Sequence, residues 1–144
     1  MTAGSPPTPR PDDTQLVRLA HEAAANAYVP YSSFPVGACL LTAQGRLVVG
    51  CNVENASYGL TICAERTAVT RMVASGPPQD RRIVAVAVVG LDAAPCWPCG
   101  ACRQVLHEFG CAQVILEDEQ GHAVSYPFAS LFPHGFGPDD LARN

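Results

Sequence analysis

Ile83-Val84-Ala85-Val86-Ala87-Val88-Val89 is an unbroken apolar run. Strict alternation would mark a strand with one wet face, and this stretch has none. It reads as a strand buried on both faces. Such a strand needs helices packed above and below it. Upstream of the run, Leu16, Leu19, Ala20, Ala23, Ala24 and Ala27 fall at helical spacing. Asp12-Asp13-Thr14 offers start chemistry and Pro30 a stop, which predicts a helix to about Tyr28. Val36–Leu41 and Arg46–Gly50 flank Ala43-Gln44-Gly45 and predict a β-hairpin. Residues 52–62 are polar and follow neither period. A second helix is predicted from about Cys63 to Ala74, ending at Gly76-Pro77-Pro78. A third is predicted from about Cys99 to Gly110. Val114–Leu116 then reads as a strand, Glu117–Gly121 as a turn, and the segment to Pro127 as a returning strand. A short helix is expected near Asp139–Arg143. Strands alternating with helices imply one α/β domain over residues 12–144, with a mixed sheet between helical layers. Residues 1–11, rich in Pro and Thr, read as a disordered tail.

Composition narrows the function. The chain has 144 residues, 48% of them hydrophobic and 15% charged, with a formal net charge of −4. That is a globular composition. No apolar run approaches the ~20 residues of a membrane span, and the first residues lack the apolar core of a secretion signal. The expectation is a soluble, cytoplasmic protein without a membrane partner. All nine basic residues are arginine, which excludes a Schiff-base or P-loop lysine within this chain. The arginines are scattered and form no basic patch to neutralise phosphates, so a small substrate is expected rather than nucleic acid.

Seven cysteines, an odd number, argue against a disulfide framework and for metal ligation or catalysis among the clustered ones. Two segments stand out: Thr61-Ile62-Cys63-Ala64-Glu65-Arg66 and Pro98-Cys99-Gly100-Ala101-Cys102-Arg103-Gln104. Cys99-x-x-Cys102 alone could be a redox pair, half a zinc ribbon or two core thiols. Paired with an upstream Cys-Ala-Glu it matches the pattern of the zinc nucleobase deaminases. The two cysteines lie one turn apart at a predicted helix start, and Cys63 begins another. Helix N-termini favour the thiolate that zinc requires. Three thiolates leave a tetrahedral zinc one open position for water. They also leave the complex near −1, which calls for a neighbouring cation, and Arg66 is placed to donate to the sulfurs. Glu65 is suited to move protons at the activated water. Cys96 could complete a four-cysteine structural site instead. Cys39, Cys51 and Cys111 read as core thiols.

The resemblance extends beyond these segments. Tyr31-Ser32-Ser33-Phe34-Pro35-Val36-Gly37-Ala38, Gly50-Cys51-Asn52-Val53-Glu54-Asn55-Ala56, Phe132-Pro133 and Phe136-Gly137 also look like the small homotetrameric zinc-dependent cytidine deaminases. The likeness covers most of residues 13–142. It implies a three-layer α/β/α sandwich around a roughly five-stranded mixed sheet. It implies Zn2+ held by Cys63, Cys99 and Cys102, and Glu65 as the catalytic proton shuttle. It implies a nucleoside bound by Phe34, Asn52, Glu54, Ala64 and Phe136, with Phe34 on the pyrimidine and Asn52 and Glu54 at the ribose 3′-hydroxyl. Phe136 would reach the site of a neighbouring subunit in a homotetramer. The implied reaction is hydrolytic deamination of free cytidine and deoxycytidine, a step of pyrimidine salvage. Other readings remain: a deaminase of another base, a zinc-stabilised binding module without turnover, or a polynucleotide-editing enzyme. The Pro-rich start and Cys96-Trp97 depart from the family pattern.

Overall fold

The computed structural model describes residues 10–142. The expected tail therefore lies almost wholly outside the described residues. Helix α1 spans Asp13–Ala24, capped by the Asp12 carboxylate, which accepts from the Gln15 amide at 2.8 Å. Strands β1 (Val36–Thr42) and β2 (Leu47–Cys51) form the antiparallel hairpin, turning at Gly45 with φ of 87°. A short 3-10 turn occupies Tyr58–Leu60. Helix α2 is Ala64–Ser75, β3 is Ile83–Gly90 and α3 is Gly100–Glu108. Strands β4 (Gln113–Glu117) and β5 (Ala123–Pro127) lead to two short helices, α4 (Phe128–Leu131) and α5 (Pro138–Leu141).

The sheet order is β2-β1-β3-β4-β5, with only the β3–β4 pair parallel. Alternate residues of β3 enter two different cores. Ala85, Ala87 and Val89 pack with Leu16, Val17 and Ala20 of α1. Val86 and Val88 pack with Ala68, Val69 and Met72 of α2 and Leu106 of α3. The central run is thus buried on both faces between helices, as its composition implied.

Two glycines set how closely the layers approach. A Cβ on Gly37 would lie 1.9 Å from the Ala20 carbonyl oxygen in α1. On the other face, a Cβ on Gly50 would lie 2.5 Å from the Ala68 amide and 2.6 Å from the Ala64 oxygen. The sheet therefore holds α2 against β2 by backbone contact, and α2 carries Cys63 at its start.

Three local expectations need correction. Helix α1 stops at Ala24 rather than near Tyr28, because Tyr28 pairs its backbone with Asn52 and Glu54 instead. Residues 52–62 are not simply irregular, since Val53 bridges both Tyr28 and Ile62. Cys51 is only half-buried, because β2 is an edge strand. Cys39 and Cys111 are buried.

Candidate active site

The strand register brings three chain segments to one end of the sheet. Val36 pairs with Gly90, and Gly37 with Cys51. Phe34, Asn52 and the loop after β3 therefore leave the sheet together. That loop leads to Cys99, the cap residue of α3, whose sulfur accepts from the Cys102 amide at 3.4 Å. Cys63 caps α2 in the same way by position, with extended backbone at φ −69°, ψ 156°. Two helices thus aim their positive ends at one point.

Cys63, Cys99 and Cys102 meet there, with all three sulfurs within 4.8 Å of one another. The Cys63–Cys99 separation is 3.9 Å. Zinc–sulfur bonds near 2.3 Å give a tetrahedral edge of about 3.8 Å, so the Cys63 and Cys99 sulfurs already stand at the spacing zinc requires. The acid–base state of the cluster also calls for a cation. A hydrogen bond from Cys102, helped by Arg66 and Cys99, pulls the Cys63 thiol down to about 5. Cys102 is pushed up, because it holds the proton it shares with Cys63. Three such close sulfurs do not all ionise without a metal among them. Arg66 donates through Nη2 to Cys63 Sγ at 3.4 Å, and this contact raises its own pKa.

Glu65 follows Cys63 and is buried, with 4% exposure. Burial raises its pKa, and the negative charge of Cys63 adds to the effect. Ala64 between them is fully buried. Cys96 lies outside the sulfur cluster and packs beside Gly90, and burial pushes its thiol up to about 11.

Asn52 and Glu54 shape the loop that carries Phe34. Asn52 accepts from the Val36 amide at 2.9 Å and donates to the Phe34 carbonyl at 2.8 Å. The Glu54 carboxylate, also buried, accepts from the Tyr31 amide at 3.3 Å, and from the Ser32 amide and hydroxyl, each at 3.1 Å. Phe34 itself is partly exposed at this end of the sheet. Phe136 stands apart from this loop: its ring is exposed, and its carbonyl accepts from Gln104 Nε2 at 2.8 Å. The sequence reading missed Ser32, Arg103 and Gln104.

Donor number separates two kinds of zinc site. A structural site takes four protein ligands, and the cluster among the described residues has three. The protein therefore has the donor set of the zinc enzymes, whose metal keeps a place for water. Comparison with known proteins narrows that class. The model of the cytidine and deoxycytidylate deaminase zinc-binding region matches residues 10–118, and the chain belongs to this family. A cytidine deaminase from Sporosarcina psychrophila is 44% identical over 91% of this chain and 96% of its own length. The crystal structure of a cytidine deaminase from Burkholderia pseudomallei superposes with a TM-score of 0.75 at 46% identity, over 84% of this chain and 96% of that one. That from Mycobacterium tuberculosis gives 0.76 at 42% identity, over 88% and 98%. The family is the one the sequence resembles, and the mixed five-stranded sheet between helices is its fold.

Proposed function

We infer that this chain hydrolyses the 4-amino group of free cytidine and deoxycytidine, releasing uridine or deoxyuridine and ammonia. The observation that carries the reading is the three-sulfur cradle with a desolvated Glu65 beside it, in a chain that spans nearly the full length of its cytidine deaminase relatives. Zinc held by Cys63, Cys99 and Cys102 supplies the Lewis acid that makes water nucleophilic near neutral pH. Glu65 takes a proton from the attacking water and delivers it to ring N3 as oxygen bonds to C4. It then takes the proton of the new C4 hydroxyl and passes it to N4, the C4–N4 bond breaks as the C4 carbonyl forms, and ammonia leaves. A carboxyl with a raised pKa suits this traffic, because it holds a proton long enough to give it to a poor leaving group. Arg66 offsets the negative charge of the thiolates.

Phe34 stacks on the pyrimidine, Asn52 and Glu54 meet the ribose 3′-hydroxyl, and Ala64 lies against the base. Phe136 completes the site of an adjoining copy in a homotetramer. A 3′-phosphate would face the Glu54 carboxylate. Two like charges about 4 Å apart repel by roughly 1 kcal/mol in water and about 4 kcal/mol at an effective dielectric near 20. Free nucleosides are therefore preferred, in keeping with pyrimidine salvage. Among the described residues no helix is long and apolar enough to cross a membrane. A cytoplasmic setting suits a chain with this many free thiols.

The test is an absorbance assay with cytidine, deoxycytidine, cytidine 3′-monophosphate, a cytosine-containing single strand, adenosine and guanine, beside a metal count and sedimentation. The expected result is one zinc per chain, turnover of the two cytosine nucleosides and a tetramer. Equal or faster turnover of the 3′-phosphate or the strand would sink the ribose assignment. A fully active monomer would sink the shared site.

A further inference from the structure

The metal cysteines of α3 are followed at once by Arg103 and Gln104, and the proposed chemistry uses neither. Both are spent on backbone carbonyls. Arg103 Nε donates to Pro98 O at 2.8 Å, and its Nη1 donates to Leu131 O at 2.7 Å. Pro98 is buried and immediately precedes the ligand Cys99. Leu131 ends α4, where a helix leaves its last carbonyls without intrahelical partners. One guanidinium thus ties the metal turn to the start of the C-terminal segment. Gln104 then ties the far part of that segment by donating to Phe136 O at 2.8 Å. One turn further along α3, the His107 ring packs against Phe132 and against Gly137, where a Cβ would lie 2.6 Å from Nε2. Gln104 takes hold of an exposed residue, so its bond does little for the core and much for the placement of that residue.

We propose that Arg103 and Gln104 are positioning residues, which hold the Phe136 segment against α3 so that its ring is presented to the substrate in the site of an adjoining copy. The proposal rests on reading the chain as a nucleoside deaminase with Phe136 at the substrate. A guanidinium fork is required because two carbonyls in different directions must be met at once, and a lysine offers no such fork.

The experiment compares Gln104→Ala, Gln104→Glu and Arg103→Lys with the parent protein. The readouts are zinc content, melting temperature, kcat and KM for cytidine, and the rate of chymotrypsin cleavage after Phe136. Glutamate has the shape of glutamine but cannot donate, so both Gln104 variants should behave alike. Each should keep zinc and melting temperature, raise KM by up to about tenfold with kcat within about twofold, and speed cleavage after Phe136. Arg103→Lys should also release zinc faster to a chelator, by about 10- to 100-fold, because Pro98 carries Cys99. Unchanged KM and cleavage in both Gln104 variants would overturn the proposal. So would a KM rise that comes with lost zinc and a lowered melting temperature, which marks a purely structural role. Cleavage needs no substrate, so it tests the anchoring separately. A parent protein that does not deaminate cytidine overturns the functional reading and the substrate half of this one, while the cleavage rates still decide whether Phe136 is held.

Discussion

Cys102 and Ala64 are wholly buried and Glu65 nearly so, whereas Phe136, Tyr58 and Leu60 are 57%, 73% and 65% exposed. The first group belongs to the metal cradle and the second to the 3-10 turn and the C-terminal segment. The cradle is fixed by two helix starts and by a sheet that touches α2 backbone to backbone. The other region hangs on loops, joined by side-chain hydrogen bonds such as those of Asn52, Glu54 and Gln104. The contrast teaches that the metal cradle is complete within one chain, while the apolar groups of the other region are left uncovered by it. Such surfaces are commonly covered by another molecule. In the proposed tetramer the cover is a second copy.

The contrast can be broken most severely at the cradle. Cys102→Ala and Cys99→Ala should lose most of the metal and with it turnover, whereas Cys96→Ala should keep both. Metal analysis of the three variants decides, and zinc lost from the Cys96 variant would restore the four-ligand structural site. Next in size is Glu65→Gln, which should keep metal yet lower kcat by roughly 10²–10⁴-fold. Its stability should depend on pH in a definite direction. Burial holds the Glu65 pKa above the ordinary value, so the folded chain binds that proton more tightly than the unfolded chain does. The carboxylate costs nothing below the unfolded value of about 4.3, and its cost grows as pH rises from there through the folded pKa. Stripped of metal, Glu65→Gln should therefore melt above the parent at neutral pH, with the gap closing toward acid. The smallest effect belongs to the open region. Phe34→Ala should leave zinc and melting temperature alone and weaken cytidine binding by roughly 5- to 150-fold, the worth of one aromatic stack at about 1–3 kcal/mol. Zinc loss in that variant would mean that the two regions are one.

The same division explains what could be read before the structure. The cradle was legible because metal chemistry demands particular side chains at particular spacings, and Cys63-Ala64-Glu65 with Cys99-x-x-Cys102 meets that demand. The β3 run was legible because burial on both faces leaves no room for a polar residue. The end of α1 was not, because Ala25, Asn26 and Ala27 are compatible with a helix and only the distant Asn52 and Glu54 draw Tyr28 away. Helix α4 was missed because four residues are too few to show a period. Arg103 and Gln104 stayed hidden for a different reason. Their partners are backbone carbonyls, and every residue has one, so nothing in the letters of Leu131 or Phe136 announces the contact.

The cradle draws its ligands from two helix starts, and Cys63 and Cys99 are 36 positions apart in the chain. In polymer terms, a metal gripped at both places is a cross-link closing a loop. A covalent link across a loop of that size removes about 4 kcal/mol of entropy from the unfolded chain. A coordinate link acts on the same freedom and differs in being removable. The group that activates water is then also the staple between α2 and α3.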